Sequence, residues 1–256
     1  MSNMKIVSFN IRYAWDKDGV NSFIHRIGLI CDKIAEEKPD VIAFQETTDR
    51  HREMLVRMLP EYLIVGQGRN ADCLGEGVST AVRRDTVDLL GFETIWLSPT
   101  PYVPASRYEN QSHIPRIALM TLLKNKKTGE PFRMFNVHLD HLSSEGRVSQ
   151  LEGLFGYINE QQNKVALPAV ILGDFNAETD SDEIKLINKQ GAFTDLTTNI
   201  ERTFHNFGTY HPSTKIDYIF TTPELTARAE TAEPWTDEKN GIYLSDHYPV
   251  AVTFKN

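Results

Sequence analysis

The sequence predicts an α/β domain, on three observations: short apolar, β-branched runs recur along the whole chain, amphipathic helical stretches fall between them, and nothing cuts the chain in two. The runs occupy residues 4–9, 41–44, 78–82, 116–123, 132–137, 169–172, 216–220 and 250–254, and each reads as a strand. Phe23, Ile24, Ile27, Ile30, Cys31 and Ile34 recur at helical spacing, which predicts a helix capped by Asn21 or Ser22 and closed before Pro39. Val148, Leu151, Leu154, Phe155 and Ile158 mark a second helix, and residues 182–189 a shorter third. With no repeat, low-complexity tract or Gly/Ser linker, all 256 residues are expected to form one domain.

Composition narrows the function classes. Apolar residues make up 40% and charged residues 24% of the chain, and no apolar run is long enough to predict a membrane helix. The opening MSNMKIVSFNIRY has no basic stretch leading into an apolar core, so it reads as a first strand and not a signal peptide, and a cytoplasmic location is expected. Cys31 and Cys73 cannot make a disulfide framework and lack zinc spacing, so both are expected to be buried free thiols. The 35 acidic against 27 basic side chains give a net charge of −8, which repels a long polyanion. Phosphate chemistry stays open, because a bound cation dominates the field of its own site.

Two long irregular stretches, 99–115 and 197–214, are candidate walls of a binding site. In the second, Phe204, His205, Tyr210 and His211 are placed to reach a substrate, although loop histidines are more often plain surface groups. Lys124, Lys126 and Lys127 beside Thr128-Gly129 read as a solvated hairpin turn, not a nucleic-acid patch.

The strand-like runs share one more property: they end in, or contain, residues able to bind metal or move protons. These are Asn10, Glu46, His138, Asp174 with Asn176, Asp217, and Asp246 with His247. Singly, each is an ordinary turn former. Together they form an oxygen-rich set of the kind hard Mg²⁺ or Mn²⁺ prefers, and sheets bring strand ends to a common edge.

In order, the blocks Ser8-Phe9-Asn10, Phe44-Gln45-Glu46, Asn136-Val137-His138, Gly173-Asp174-Phe175-Asn176, Ile216-Asp217-Tyr218-Ile219-Phe220 and Ser245-Asp246-His247-Tyr248-Pro249-Val250 resemble the signature of the endonuclease/exonuclease/phosphatase superfamily. Trp96-Leu97-Ser98-Pro99 and His138-Leu139-Asp140-His141 are further similar to a bacterial subgroup of it. The resemblance implies a four-layer αββα sandwich of two packed mixed sheets flanked by helices, with the site at one edge. It also implies metal-dependent hydrolysis of phosphodiesters or phosphomonoesters. By resemblance, Glu46 is the principal metal ligand, with Asn10 beside it and Asp246 as a second carboxylate; Asp174 orients or deprotonates the attacking water; and Asn176 donates to a phosphoryl oxygen. His247 matches the phosphate-contacting histidine, Asp217 its carboxylate partner, His138 a histidine on the leaving-group side, Glu76 a supporting acid and Arg116 a phosphate-contacting arginine. Asp140 and His141 are explained as well by a polar strand-end turn.

A small phosphoester, a nucleotide or a short single-stranded RNA end is the expected substrate. A DNA repair nuclease would want a basic rim, which this acidic chain lacks. A catalytically dead binding module would have lost one of Glu46, Asp174, Asn176 or His247, and all four are present.

Overall fold

The computed structural model describes residues 3–210, 212 and 214–256, so His211 lies outside the described residues. In chain order the strands are β1 (Met4–Asn10), β2 (Val41–Thr47), β3 (Tyr62–Gly68), β4 (Gly77–Arg83), β5 (Val87–Trp96), β6 (Ile117–Asn125), β7 (Pro131–His138), β8 (Ala169–Asp174), β9 (Thr194–Asp195), β10 (Asp217–Thr221), β11 (Ala229–Pro234), β12 (Glu238–Lys239), β13 (Ile242–Tyr243) and β14 (Val250–Phe254). The helices are α1 (Phe23–Glu37), α2 (Asp49–Met58), α3 (Ser144–Lys164), α4 (Asp182–Gln190) and the single turn α5 (Pro223–Thr226), with a 3₁₀ segment at Asp16–Asn21.

Two six-stranded sheets result, ordered β11-β14-β1-β2-β4-β3 and β5-β6-β7-β8-β10-β9, with β12 and β13 forming a small hairpin. Each large sheet has one parallel pair, β1 with β2 and β7 with β8, among antiparallel neighbours. Parallel neighbours need a crossover, and α1 and α3 supply it.

The period of two along the strands sorts residues into layers. Val7, Phe9, Ile42 and Phe44 face outward and pack under Phe23, Ile27, Ile30 and Ile34 of α1 and Leu55 of α2. Phe135, Val137, Ile171 and Phe220 of the other sheet pack under Leu151, Leu154 and Ile158 of α3 and Ile184 and Ile187 of α4. Ile6, Val41, Ala43, Phe132, Met134, Val170, Leu172, Ile219, Val250 and Val252 meet between the sheets. The result is the four-layer αββα sandwich.

The inner face is graded. Along β1 it runs Met4, Ile6, Ser8, Asn10; along β2 Val41, Ala43, Gln45; along β7 Phe132, Met134, Asn136, His138; and along β8 Val170, Leu172, Asp174. Apolar residues close one end of the sandwich and polar ones collect at the other. Between them, Gln45 Nε2 donates to Asn136 Oδ1 at 2.8 Å, and Asn136 Nδ2 donates to the carbonyls of Phe44 and Ser79, both at 3.0 Å. This buried bridge fixes the two sheets directly beneath the polar edge.

Several local expectations are corrected. Ser22 does precede α1, but its side chain makes no cap bond, and Asn21 instead takes the N–H of Tyr243 and donates to the carbonyl of Gly241. Ile24 is 51% exposed, off the apolar stripe. Cys31 and Cys73 are both only half-buried, Cys31 packing at the margin of the α1 core and Cys73 at the margin of a smaller cluster around Val78 and Trp96. Among the described residues no helix is long and apolar enough to cross a membrane.

Candidate active site

Glu46 reaches the edge because β2 breaks its register there. The pairing of β2 with β4 slips between Phe44 and Thr47, and Glu46 takes φ +60°. A bulge of this kind turns one side chain out of the alternation, and the left-handed backbone costs energy that the surrounding bonds must offset. Those bonds are present: Tyr13 N–H donates to Glu46 Oε2 at 2.6 Å and Asn10 Nδ2 to Oε1 at 3.0 Å. Asp174 is set by the close approach of β8 to β7. At Gly173 a Cβ would lie 1.9 Å from the carbonyl oxygen of Val137, so only glycine fits there.

Asp174 joins the two sheets' contributions. Its Oδ2 accepts from Asn10 Nδ2 at 2.9 Å and lies 3.5 Å from His138 Nε2 and 3.8 Å from His247 Nε2, while Oδ1 accepts from Asn176 N–H at 2.8 Å. Burial, then the charge of Asp217, pushes its carboxyl up to about 7. His247 Nδ1 donates to Asp217 Oδ2 at 2.8 Å. Burial opposes charge on that ring, but Asp217, Asp174 and Asp246 outweigh it and hold the imidazolium up to about 10. His138 is the opposite case: burial, then Arg116 and Arg69, push it well down, so it is neutral. Asn176, at φ +48°, commits one amide hydrogen to the carbonyl of Leu139 at 3.1 Å.

The ligating atoms of Glu46, His138 and Asp174 lie within 4.8 Å of one another, as do those of Asp174, Asp217 and His247. The first set fits a divalent cation; in the second, Nδ1 of His247 is spent on Asp217. Burial, helped by neighbouring carboxylates, raises Glu76, Asp174 and Asp246, whereas Glu46 is held low against its burial by the charge of His247 and by the bonds from Asn10 and the Tyr13 N–H, so Glu46 is the carboxylate kept ionised for a hard cation. The two other expected ligands are differently engaged. Asn10 turns its nitrogen to the carboxylates and its Oδ1 to the N–H of Arg12 at 3.0 Å, so to ligate through oxygen the amide must turn over. Asp246 lies 3.3 Å from Arg12 Nη1 and accepts from Ser245 Oγ.

Sequence reasoning passed over three arginines. Arg12 grips Asp18 through Nε and Nη2, both at 3.1 Å, as well as Asp246. Arg26, fully buried, donates to the carbonyls of Asn21, Ile11 and Leu244 at 2.6, 2.9 and 2.7 Å, tying α1 to the segments that carry Asn10 and His247. Arg69 Nη1 pairs with Glu76 Oε1 at 2.5 Å. Glu76 is therefore held by Arg69, with no bond to His138. Arg12 follows β1, Arg26 lies within α1 and Arg69 follows β3, a strand of mixed polarity; none belongs to a motif, so nothing in the sequence singles them out.

The two long loops sit on opposite flanks. In the first, Ser112 N–H and Oγ donate to Asp140, which also accepts from the N–H groups of Leu142 and Ser143, making Asp140 an anchor for the loop. His141 Nδ1 lies 3.2 Å from Arg116 Nη2. In the second, His205 and Asn206 N–H donate to the carbonyl of Asp246 and Tyr248 N–H to that of Thr203, so the loop is laid along the His247 segment. The Phe204 ring lies 4.9 Å from that of His247 and 5.4 Å from Tyr210, which is 44% exposed. His205 corrects the expectation of a substrate contact. It is 4% exposed, stacked 3.9 Å from Tyr248, with Nδ1 taking the N–H of Gly208 and burial pushing it down to about 4.

Comparison with known proteins agrees with this geometry. The family model described as "Endonuclease/Exonuclease/phosphatase family" matches residues 7–247. No curated protein sequence matches the chain. Among solved structures, an endonuclease/exonuclease/phosphatase from Bacteroides vulgatus is 28% identical with a TM-score of 0.89, covering 100% of both chains. A mannosyl-6-phosphatase from Bacteroides thetaiotaomicron is 25% identical with a TM-score of 0.84, covering 97% of this chain and 98% of its own. The human nocturnin catalytic domain, 17% identical with a TM-score of 0.75 over 99% and 93% of the two chains, shares the fold. The chain belongs to the endonuclease/exonuclease/phosphatase family, whose members hydrolyse phosphoesters.

Proposed function

We propose that this protein is a metal-dependent phosphoester hydrolase acting in the cytoplasm on a small phosphorylated molecule, a nucleotide or a short RNA end. The observation that carries the reading is the continuous chain of contacts Asp217, His247, Asp174, Asn10, Glu46, which joins a charged donor, a raised carboxyl and a metal-binding carboxylate across both sheets. Mg²⁺ or Mn²⁺ held by Glu46 and its neighbours would neutralise charge on a phosphoryl oxygen. Asp174, with a carboxyl near 7, accepts the proton of the attacking water. Asp217 orients His247 so that Nε2 presents its proton to a second phosphoryl oxygen, which makes the histidine an electrophilic donor and not a base. Asn176 offers its second amide hydrogen, and neutral His138 borders the leaving group.

The mannosyl-6-phosphatase similarity supports a small phosphomonoester, as do the −8 charge and the aromatic pair Phe204 and Tyr210 beside His247. The test is a screen of the purified protein, with Mg²⁺ and Mn²⁺, against sugar phosphates, nucleotides, short RNA and plasmid DNA. Turnover of small esters, untouched by plasmid at moderate salt, is the expected result. Efficient nicking with tight, salt-sensitive plasmid binding overturns the substrate class in favour of a DNA nuclease.

A further inference from the structure

The start of β10 has a strand neighbour on one side only. There β8 pairs with it from Asp217 to Thr221, with Asp217 opposite Asp174; on the other side β9 reaches only Phe220 and Thr221, at the far end. The N–H groups of Ile216 and Asp217 are taken instead by a single side chain, the hydroxyl of Thr203, at 3.0 and 3.1 Å. Thr203 is fully buried, and two adjacent main-chain donors beside it would be costly to leave without an acceptor.

The same residue holds the segment of His247. The carbonyl of Thr203 accepts the N–H of Tyr248 at 2.7 Å, Phe204 forms an antiparallel bridge with His247, and the two rings lie 4.9 Å apart. Thr203 thus fixes, by side chain and main chain, the two segments whose side chains meet in the bond from His247 Nδ1 to Asp217 Oδ2 at 2.8 Å. Its own loop is held without the hydroxyl. The N–H groups of Thr203 and Phe204 both donate to the carbonyl of Thr214 at 2.9 Å, and Thr214 N–H donates back to the carbonyl of Phe204 at 3.3 Å.

We propose that Thr203 is a positioning residue for the reaction: its hydroxyl sets the start of β10 so that the Asp217 carboxylate meets Nδ1 of His247 in line, and through that bond it aims Nε2 at the substrate. The inference rests on the reading of the protein as a phosphoester hydrolase and adds to that site a residue that acts only through Asp217. A hydrogen bond weakens steeply when misaligned, and the bond at one ring nitrogen of a histidine directs the other. Without the hydroxyl two main-chain donors are unmet, and the start of β10 shifts toward other acceptors and carries Asp217 with it.

The test sets Thr203→Val, which keeps the shape and removes the acceptor, beside Thr203→Ser, which keeps the acceptor. On the small phosphoester found by the screen, Thr203→Val is expected to lower kcat about tenfold with KM little changed, and Thr203→Ser to stay within about twofold of the unaltered protein. In Asp217→Asn protein the valine should cost less than about twofold more, because the hydroxyl acts through that carboxylate. The full loss in that background, or equal losses in the serine and valine variants, overturns the proposal and leaves Thr203 to the loop alone. Should the valine prevent folding, Thr203→Ala replaces it, since alanine and serine differ only by the hydroxyl. If no ester is hydrolysed, the hydrolase reading fails separately, and proton NMR of the metal-free protein decides the positioning role. The signal of the proton on Nδ1 of His247, identified by its loss in His247→Ala, should shift or broaden in Thr203→Val and stay in place in Thr203→Ser. An unchanged signal in Thr203→Val overturns the proposal.

Discussion

The two flanks of the cleft are built from the same materials and finished differently. On the side of β10 and β14 the charged groups at the site are paired inside the protein: His247 has Asp217, Asp246 has Arg12, and Arg12 also has Asp18. On the side of β3, β4 and β6, Arg116 has a histidine nitrogen and nothing anionic. The closed flank is preorganised to act on whatever lies beside it, because no group there must move to be satisfied. The open flank leaves Nε and Nη1 of Arg116 buried without a hydrogen-bond partner. Glu46 and Asp174 lie between the two flanks.

The largest effect expected from this division is at the centre. Glu46→Gln removes the carboxylate that the bulge of β2 turns outward, and should lower kcat about a thousandfold or more, since several kcal/mol of charge stabilisation are lost. Thermal unfolding should stay close to that of the parent, because the residue is not part of the apolar core. Near-normal turnover in this variant, or in protein stripped of metal by a chelator, would show that the centre works without a cation.

How much of this was legible beforehand follows from what each residue does for the strand that carries it. The site residues of β1, β2, β7 and β8 could be read directly, because strand-like runs end in Asn10, Glu46, His138 and Asp174 and the motif order implied their convergence; the bulge that turns Glu46 out of the alternation of β2 could not. Strands β3, β5 and β11 were not legible. YLIVGQG mixes glycine and polar residues, the β5 ladder slips between Leu89 and Gly91, and AETAEP has little β propensity at a sheet edge. Helix α2, DRHREMLVRM, presents too few apolar residues for its period to show. The arginines were hidden for another reason: the worth of Arg12, Arg26 and Arg69 lies in carbonyls and carboxylates brought to them by other segments, and no local pattern records that.

A sharper probe of the closed flank is the pair formed by Asp217 and His247. His247→Ala should cost about 10² to 10⁴ in kcat, the range for a positioned proton donor. Asp217→Asn should cost about 10- to 100-fold, because the amide keeps the hydrogen bond's geometry but no longer supports the imidazolium. If the flank acts as a unit, the double variant loses little beyond His247→Ala alone. Losses that multiply would mean that Asp217 serves Asp174 or the fold independently, and the contrast between the two flanks would weaken.

The smallest expected effect is a shift in the pH profile, and it tests whether the flanks share a centre. Asp174 must be ionised to take a proton from water, so kcat/KM should fall as pH drops through its pKa, which stands near 7 before a metal contributes. His247 is charged up to about 10, and its Nε2 lies 3.8 Å from Asp174 Oδ2, so it favours the ionised carboxylate. Removing that positive charge in His247→Ala leaves burial and Asp217 to act on Asp174, which raises its pKa, and the acid limb moves to higher pH. A bound cation lowers the starting point in both proteins without reversing the direction. Replacing the distant Arg69 by Gln should move the limb far less, because Arg69 stands beyond His138 and is neutralised by Glu76. Residual turnover of a small phosphomonoester, measured across pH 5 to 9 for the three proteins, supplies the comparison. An acid limb that stays in place in His247→Ala, or moves to lower pH, would mean that Asp174 is not the group whose ionisation the profile reports.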